Sequence, residues 1–408
     1  MLSLAAYRTI GYLLTPFFNR KVPPPRRGDL PRAELWLHAA SVGEAQIAAS
    51  IIRAFRQKRP KTSILLTLQT KTGLLKAREL LGSEKVALSL APWDLPAYAR
   101  RAFQKVRPRV FALIETEIWP NLILEAQRQN TLLLTLNGRL SERAFRRYRL
   151  LRGLLKRLFR GFRALGVIGP LEARRFEALG APKDRLHILG NAKYDLLYER
   201  KKQLSGKKDH SKLSSSQKIL TFGSLRGGEE KEAVKAVSLL RKRFPEISFV
   251  LAPRHLERLK ALGKELQKRK IPYTFWSRLP EDTAPVILLD AIGPLLEVYA
   301  HSYASFVGGS LVPRGGQNPF EPALFERPLL FGPHMENFPY EAEALQETVN
   351  GIVVKNGEEI FEKFSYWLEN PSEAQRAGKL AHRALEKFLG ASRRYASLLQ
   401  EAFNHPPP

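Results

Sequence analysis

The sequence predicts an α/β protein of two domains, each a parallel sheet wrapped by helices. Three observations predict it. Apolar runs of strand length alternate with amphipathic helical segments from residue 34 onward, the rhythm of βαβ units whose strands are buried on both faces. That rhythm breaks over one polar stretch and then restarts, and 408 residues exceed what a single typical core holds. The unusual polar clusters also fall just after apolar runs, at the carboxyl ends of strands, where open α/β sheets bind ligands.

The first eighteen residues, MLSLAAYRTIGYLLTPFF, are apolar and lead through Asn19-Arg20-Lys21 into a Pro/Arg-rich turn. A spanning helix needs about 20 predominantly apolar residues, and this run is broken by Arg8, Thr9, Gly11 and Pro16. Residues 1–22 therefore read as a membrane-associated or interfacial helix, with packing on the protein's own core an equal fit. A marginal anchor ranks next. A cleaved signal peptide ranks last, because no small-residue cleavage site precedes the basic turn.

Residues 34–200 form the first predicted domain. ELWLH, SILLTL, VALSL, RVFALI, LLLTL and ALGVIG read as its strands, with helical patterns such as EAQIAASIIRAFRQK, GLLKAREL and LPAYARRAFQKV between them. Within it, residues 141–163 interleave nine basic residues with Phe145, Leu151, Leu154, Leu155, Leu158 and Phe159. The spacing predicts one basic amphipathic helix, suited to an anionic membrane surface. A core-facing helix with a solvated basic side fits the same pattern. Residues 201–217, KKQLSGKKDHSKLSSSQ, have no apolar period and read as a linker. The second domain, 218–371, restarts with KILTFG, ISFVLAP, PVILLD, YASFVGG and RPLLFG, and residues 372–403 read as one or two helices.

The formal charge is +28, and there is no cysteine. Such a surplus calls for an anionic partner: nucleic acid, anionic lipid or a phosphorylated substrate. The absence of cysteine excludes a disulfide framework, a thiolate metal site and a thiol nucleophile. The eight histidines are scattered without ligand spacing, so no metal site is expected.

The chain is organised around Phe306–Pro322, FVGGSLVPRGGQNPFEP. Its Gly-Gly pairs, including Gly315-Gly316, let the backbone lie close to a ligand. Asn318 as N-cap, with Pro319 at the first helical position ahead of Phe320 and Glu321, would leave N–H groups pointing at an anion. The other clusters are Ser41-Val42-Gly43-Glu44, Trp93-Asp94, Glu115-Thr116-Glu117, Asn137-Gly138-Arg139, Gly223-Ser224 and Pro253-Arg254-His255. Glu44 stands at a helix start, where the dipole favours a carboxylate. Glu115 and Glu117 share a face in extended chain. Two acids also suit retaining glycoside chemistry at a fixed separation, whereas the nucleotide-type second domain favours transfer. Arg254 is a natural phosphate fork.

The strings HAASVGE (38–44), IETEIWPNL (114–122), NGRLSER (137–143), GNAKYD (190–195), APRHLER (252–258) and the Gly-rich loop, in this order, resemble the Kdo transferases. That family moves 3-deoxy-D-manno-octulosonic acid (Kdo) from CMP-Kdo to a lipid A precursor in lipopolysaccharide biosynthesis. The resemblance implies the GT-B architecture, two Rossmann-like domains facing a central cleft, with the terminal helices crossing back to the first. It implies an inverting transfer at the cytoplasmic face of the inner membrane, and the scattered histidines add the expectation that the transfer is metal-independent and without cofactor. Glu44 would be the general base, Glu115 the transition-state residue and Lys193 of GNAKYD a second such group offsetting negative charge. Ser41, Gly43, Asp94, Glu117, Asn137 and Arg139 would face the acceptor or sugar. Gly223, Ser224, Pro253, Arg254, Ile292, Gly293, Pro294, Gly315, Gly316, Asn318, Pro319, Phe320 and Glu321 would bind the nucleotide, with Glu321 on the ribose hydroxyls.

The chain departs from the family on the donor side. Leu225-Arg226-Gly227 replaces Thr-His-Glu, Gly293-Pro294-Leu295 replaces Gly-Glu-Leu, and Gln317 replaces the histidine of Gly-Gly-His-Asn. Pro294 also lacks a backbone donor. Another CMP- or nucleotide-linked sugar is therefore the enzymatic alternative. A non-catalytic module binding anionic glycolipid or nucleic acid is the other, although no nucleic-acid partner is expected without aromatics interleaved in a recognisable module.

Overall fold

A computed structural model describes residues 7, 9, 11, 22–205, 213 and 218–405. The expected helix over 1–22 thus lies almost wholly outside the described residues, as does most of 201–217, whose first five residues continue the helix Lys193–Ser205. Among the described residues, no helix is long and apolar enough to cross a membrane.

Two compact units emerge, Met1–Leu196 with Phe388–Pro408, and Leu197–Lys387. The first is built on β1 (Leu35–Ala39), β2 (Ile64–Leu68), β3 (Val86–Leu90), β4 (Val110–Ile114), β5 (Leu132–Gly138), β6 (Phe162–Val167) and β7 (Leu186–Ile188). They form a parallel sheet in the order β3-β2-β1-β4-β5-β6-β7. Central strands β1, β2, β4 and β5 are buried throughout, which is why they read as unbroken apolar runs rather than alternating ones. The chain reverses its direction of winding between β1 and β4, so the loops after those strands flank the crevice where such sheets bind ligands. These loops carry Ser41–Glu44 and Glu115–Glu117.

Helices cover both faces. On one, Val42–Lys58 packs Ile47, Ile51 and Phe55 with Tyr395, Leu399 and Phe403 of the last helix, Ala391–Asn404. On the other, Trp36, Phe103 and Phe111 pack in tilted and edge-on pairs with ring centroids 4.6–5.3 Å apart. The preceding helix, Pro371–Glu386, belongs to the second unit and packs on Pro339–Thr348. The C-terminal stretch grouped in the sequence is thus divided.

The basic segment 141–163 is not one helix. It forms Glu142–Arg149 and Arg152–Phe159, with Leu150 and Leu151 exposed at the corner. The reason is length. A helix through all those residues would run about 35 Å at 1.5 Å per residue, while the strands it must cross back over span about 20 Å.

The second unit holds β8 (Ile219–Leu225), β9 (Ser248–Pro253), β10 (Tyr273–Phe275), β11 (Val286–Leu288), β12 (Ala304–Val307) and β13 (Leu329–Phe331). Their parallel order is β10-β11-β9-β8-β12-β13, with the reversal between β8 and β12. The loops after these two strands are Arg226–Glu229 and the Gly-rich stretch.

Candidate active site

In the first unit, the start of the helix Val42–Lys58 sets the chemistry of Glu44. Ser41 Oγ accepts the Glu44 N–H at 3.3 Å and donates to its Oε1 at 3.0 Å, while the Ala40 N–H reaches Oε2 at 2.6 Å. The arrangement is like a capping box, except that the Glu44 carboxylate reaches back to the N–H of the residue before the N-cap. Glu44 is 8% exposed. Burial pushes its carboxyl up to about 7 against the Ala40 hydrogen bond, with repulsion from Glu117 and Glu115 adding to the rise. An acid so tuned exchanges its proton near neutrality, as a general base must.

Glu115 and Lys193, both singled out in the sequence, are brought together: Lys193 Nζ lies 3.0 Å from Glu115 Oε1. Glu115 also has a left-handed backbone, φ +59°. The described non-glycine residues with positive φ fall into two groups. Arg107, Asn130, Lys270 and Glu326 follow helices, where such angles end a turn, whereas Glu115, Asn137 and Ser224 lie at strand ends among the candidate residues. Backbone strain of the second kind collects at functional sites.

Glu117 accepts from Trp119 Nε1 at 2.8 Å. Burial raises its pKa, opposed by that bond and helped by Glu115. Its Oε2 lies 4.0 Å from His38 Nε2. His38 is fully buried with Nδ1 at 3.1 Å from Thr67 Oγ1. Burial, with Arg26 adding, lowers it to about 3, so its imidazole is neutral. Tyr148 is half-buried, and burial, helped by the nearby Glu117, raises the phenol's pKa.

The remaining first-unit candidates divide. Ser41 holds Glu44, and Gly43 lies in the first turn of its helix. Arg139 is exposed, with its carbonyl accepting from Thr116 Oγ1. Asp94 is spent on structure: it accepts the N–H groups of Asn121 and Leu122 at 3.1 and 2.9 Å and the Tyr7 hydroxyl at 3.0 Å. It thereby caps Pro120–Arg128, the helix after the Glu115–Glu117 loop, and burial raises its carboxyl. Asn137 is wholly buried.

In the second unit a cavity of about 420 Å³ is lined by Ser224, Pro253, Arg254, Ile292, Gly293, Gln317, Asn318 and Glu321, and also by Arg200. That size suits a small ligand. Burial pushes the Glu321 carboxyl up to about 7, held down in part by Arg200, the Asn318 side chain and Arg254. Gly223, Pro294, Gly315, Gly316, Pro319 and Phe320 do not line it. Gly223 lies against the Tyr299 hydroxyl where a Cβ would collide, and Phe320 is core. Gly315 and Gly316 take φ of +82° and +73°, angles that glycine adopts freely.

The expected Asn318-capped helix is replaced by a single turn, Phe320–Ala323. Asn318 Oδ1 accepts the Phe320 N–H at 3.1 Å, so one of the donors assigned to an anion is consumed within the loop. Pro319 already has helical angles and serves as the N-cap.

Sequence reasoning passed over three residues. Glu229 was visible only as a helix-start acid. It is fully buried and accepts the N–H groups of Arg226, Gly309, Ser310 and Leu311 at 2.6–2.9 Å. Arg200 lies within a polar helix that carries no signal. His38 opens HAASVGE but follows an apolar run that hides it. Arg226, at a departure from the family pattern, places Nη1 3.0 Å from His255 Nε2.

Residues 17–196 match the family model described as 3-deoxy-D-manno-octulosonic-acid transferase. The chain is 32% identical over 387 residues to a 3-deoxy-D-manno-octulosonic acid transferase of Haemophilus influenzae, covering 94% of this chain and 88% of that one. It is 30% identical to that of Chlamydia pneumoniae, covering 88% and 82%. Among solved structures, it resembles UDP-GlcNAc 2-epimerase from Neisseria meningitidis, with a TM-score of 0.62, 15% identity and 91% and 99% coverage. It likewise resembles a glycosyltransferase from Rickettsia africae, with a TM-score of 0.60, 12% identity and 92% and 100% coverage. At these identities the structures show the fold alone: α/β, of the GT-B type, with two Rossmann-like units.

Proposed function

The chain belongs to the Kdo transferase family of glycosyltransferases, and on that premise we propose that it moves Kdo from CMP-Kdo onto a lipid A precursor with inversion at the anomeric carbon. The observation that carries the reading is the buried Glu44 carboxyl, poised at about 7 near Glu115 and Glu117, with Glu115 in turn paired to Lys193.

Glu44 takes the proton from the acceptor hydroxyl as its oxygen attacks the anomeric carbon. The new C–O bond forms on the face opposite CMP, and the breaking bond leaves its electron pair on the CMP phosphate. Lys193 offsets negative charge on that phosphate or on the sugar carboxylate, and Glu115 orients the ammonium and steadies positive charge at the anomeric centre. Arg254 and Arg200 hold the phosphate in the second unit's cavity, and Glu321 accepts from the ribose hydroxyls. Protein cations and backbone dipoles meet the leaving-group charge, with no metal.

Mass spectrometry tests the reading, using CMP-Kdo generated in situ and tetra-acylated lipid A precursor. A product heavier by Kdo is expected, in the presence of EDTA as in its absence. Loss in EDTA that magnesium restores refutes metal independence. CMP, but not UMP, raises the melting temperature; a shift with UMP alone points to another donor.

The acceptor is an anionic lipid, so the protein works at the cytoplasmic face of the inner membrane. Exposed Arg146, Arg147 and Arg149, next to exposed Leu150 and Leu151, support that reading. Reversing the three arginines to Glu is expected to weaken binding to anionic liposomes by more than about tenfold, at about 1 kcal/mol per basic residue. Unchanged sedimentation with the vesicles counts against it.

A further inference from the structure

The end of β5 holds a residue whose position suits neither a surface loop nor a sugar contact. Asn137 sits where the β5–β6 pairing shifts register between Thr135 and Gly138, an irregularity that re-aims side chains beside functional sites. Its side chain is 0% exposed, so a sugar arriving from solvent has no access to the amide. Its Nδ2 is buried without a partner, which costs free energy. The contribution of the side chain is therefore what its oxygen does.

That oxygen holds the loop bearing Lys193. Asn137 Oδ1 accepts the Ala192 N–H at 2.9 Å, one residue before Lys193, whose own N–H donates to Asn191 Oδ1 at 3.1 Å. On its other side, the carbonyl of the preceding Leu136 accepts the Glu115 N–H at 2.8 Å. The Tyr395 hydroxyl donates to the Gly190 carbonyl at 2.8 Å and so pins the start of the same loop. Residues 136–137 thus register both members of the Lys193–Glu115 pair.

We infer that Asn137 is a positioning residue that holds the Lys193 ammonium against Glu115, an inference that rests on the reading above, in which those two groups act on the reacting sugar. The residue type follows from two demands at once. The backbone is left-handed at φ +58°, which among non-glycine residues Asn tolerates best. The Ala192 N–H also needs an acceptor, which glycine lacks.

Asn137→Gly keeps the backbone conformation and deletes the acceptor. The expected result is a fall in kcat of about 30- to 100-fold, the scale of a misplacement near 1 Å. Acceptor KM and CMP Kd stay within about twofold, since a buried amide that touches no ligand contributes no ground-state binding. Tyr395→Phe removes one hydroxyl from a buried ring and lowers kcat by about tenfold with the same split; it carries the test if Asn137→Gly does not fold. Unchanged kcat overturns the inference, as does a raised acceptor KM at unchanged kcat, which marks a direct sugar contact. Wild-type protein that releases no CMP from CMP-Kdo in the presence of acceptor refutes the underlying reading instead.

Discussion

Glu44→Gln is expected to lower kcat/KM by about 10²- to 10⁴-fold, the usual worth of a general base, while the protein remains folded. Gln has the size and reach of Glu and keeps one acceptor oxygen. Its amide oxygen can still accept from Ala40, the 2.6 Å bond that anchors Oε2. Glu44→Ala leaves the Ala40 N–H without that acceptor and should cost about 1 kcal/mol in stability besides. The pH profile supplies a second check. With the Glu44 carboxyl pushed up to about 7 by burial, kcat/KM rises with pH through that region as the base loses its proton. Stability moves the opposite way. The folded state holds this proton more tightly than the unfolded chain, so the contribution is full below about 4.5 and is lost as pH rises to about 7. The loss accrues at no more than about 1.4 kcal/mol per pH unit. Chemical denaturation at pH 5 and pH 8 should show this component in wild type and not in Glu44→Gln. Equal kcat/KM in the two proteins removes Glu44 from the mechanism.

Glu229→Ala has the largest expected effect on stability. One carboxylate satisfies four backbone N–H groups: Oε2 takes Arg226 and Gly309 at 2.7 and 2.6 Å, and Oε1 takes Ser310 and Leu311, each at 2.9 Å. Each orphaned buried donor costs about 1–3 kcal/mol, which applies in full to Gly309 and Ser310 and in part to the half-buried Arg226 and Leu311. The sum comes to about 4 kcal/mol, a large share of the roughly 5–15 kcal/mol that holds a typical domain together. The melting transition of the second unit should fall by about 10 °C or more. CMP affinity should fall with it, because the loop so tied leads to Gln317 and Asn318 in the cavity wall. Glu229→Gln keeps one acceptor oxygen and turns an NH₂ toward the other donors, so it should fall between the two. A transition within about 2 °C of wild type in Glu229→Ala would show that the carboxylate does not organise this loop.

The element pattern was legible because buried parallel strands need uninterrupted apolar residues. ELWLH, RVFALI and KILTFG declared themselves that way, and each matches a strand to within two residues. Leu186–Ile188 and Tyr273–Phe275 gave no signal, because they are only partly buried and include His187 and Thr274, whereas the equally short Val286–Leu288 and Leu329–Phe331 are buried throughout and wholly apolar. Residues 141–163 have an unbroken helical period, and only the crossover length told against one helix. Glu44 and Glu115 stood out as acids just after strands and took their roles from the family strings, Lys193 was legible from its family string alone, and the surroundings of all three are set by the fold.

By itself, the order of residues determined the α/β class, the two halves, the ends of strands at which polar groups gather, and the family. These follow from periodicity and local motifs, which act over a few residues. Only the tertiary structure decided what each polar group touches. Asp94 reaches 27 residues along the chain to cap a helix, Asn137 reaches 55 to hold the Lys193 loop, and Glu229 reaches about 80 to tie the Gly-rich loop. The physical reason is that a buried polar atom must find a partner wherever packing places one. No local pattern in the chain records which partner that is.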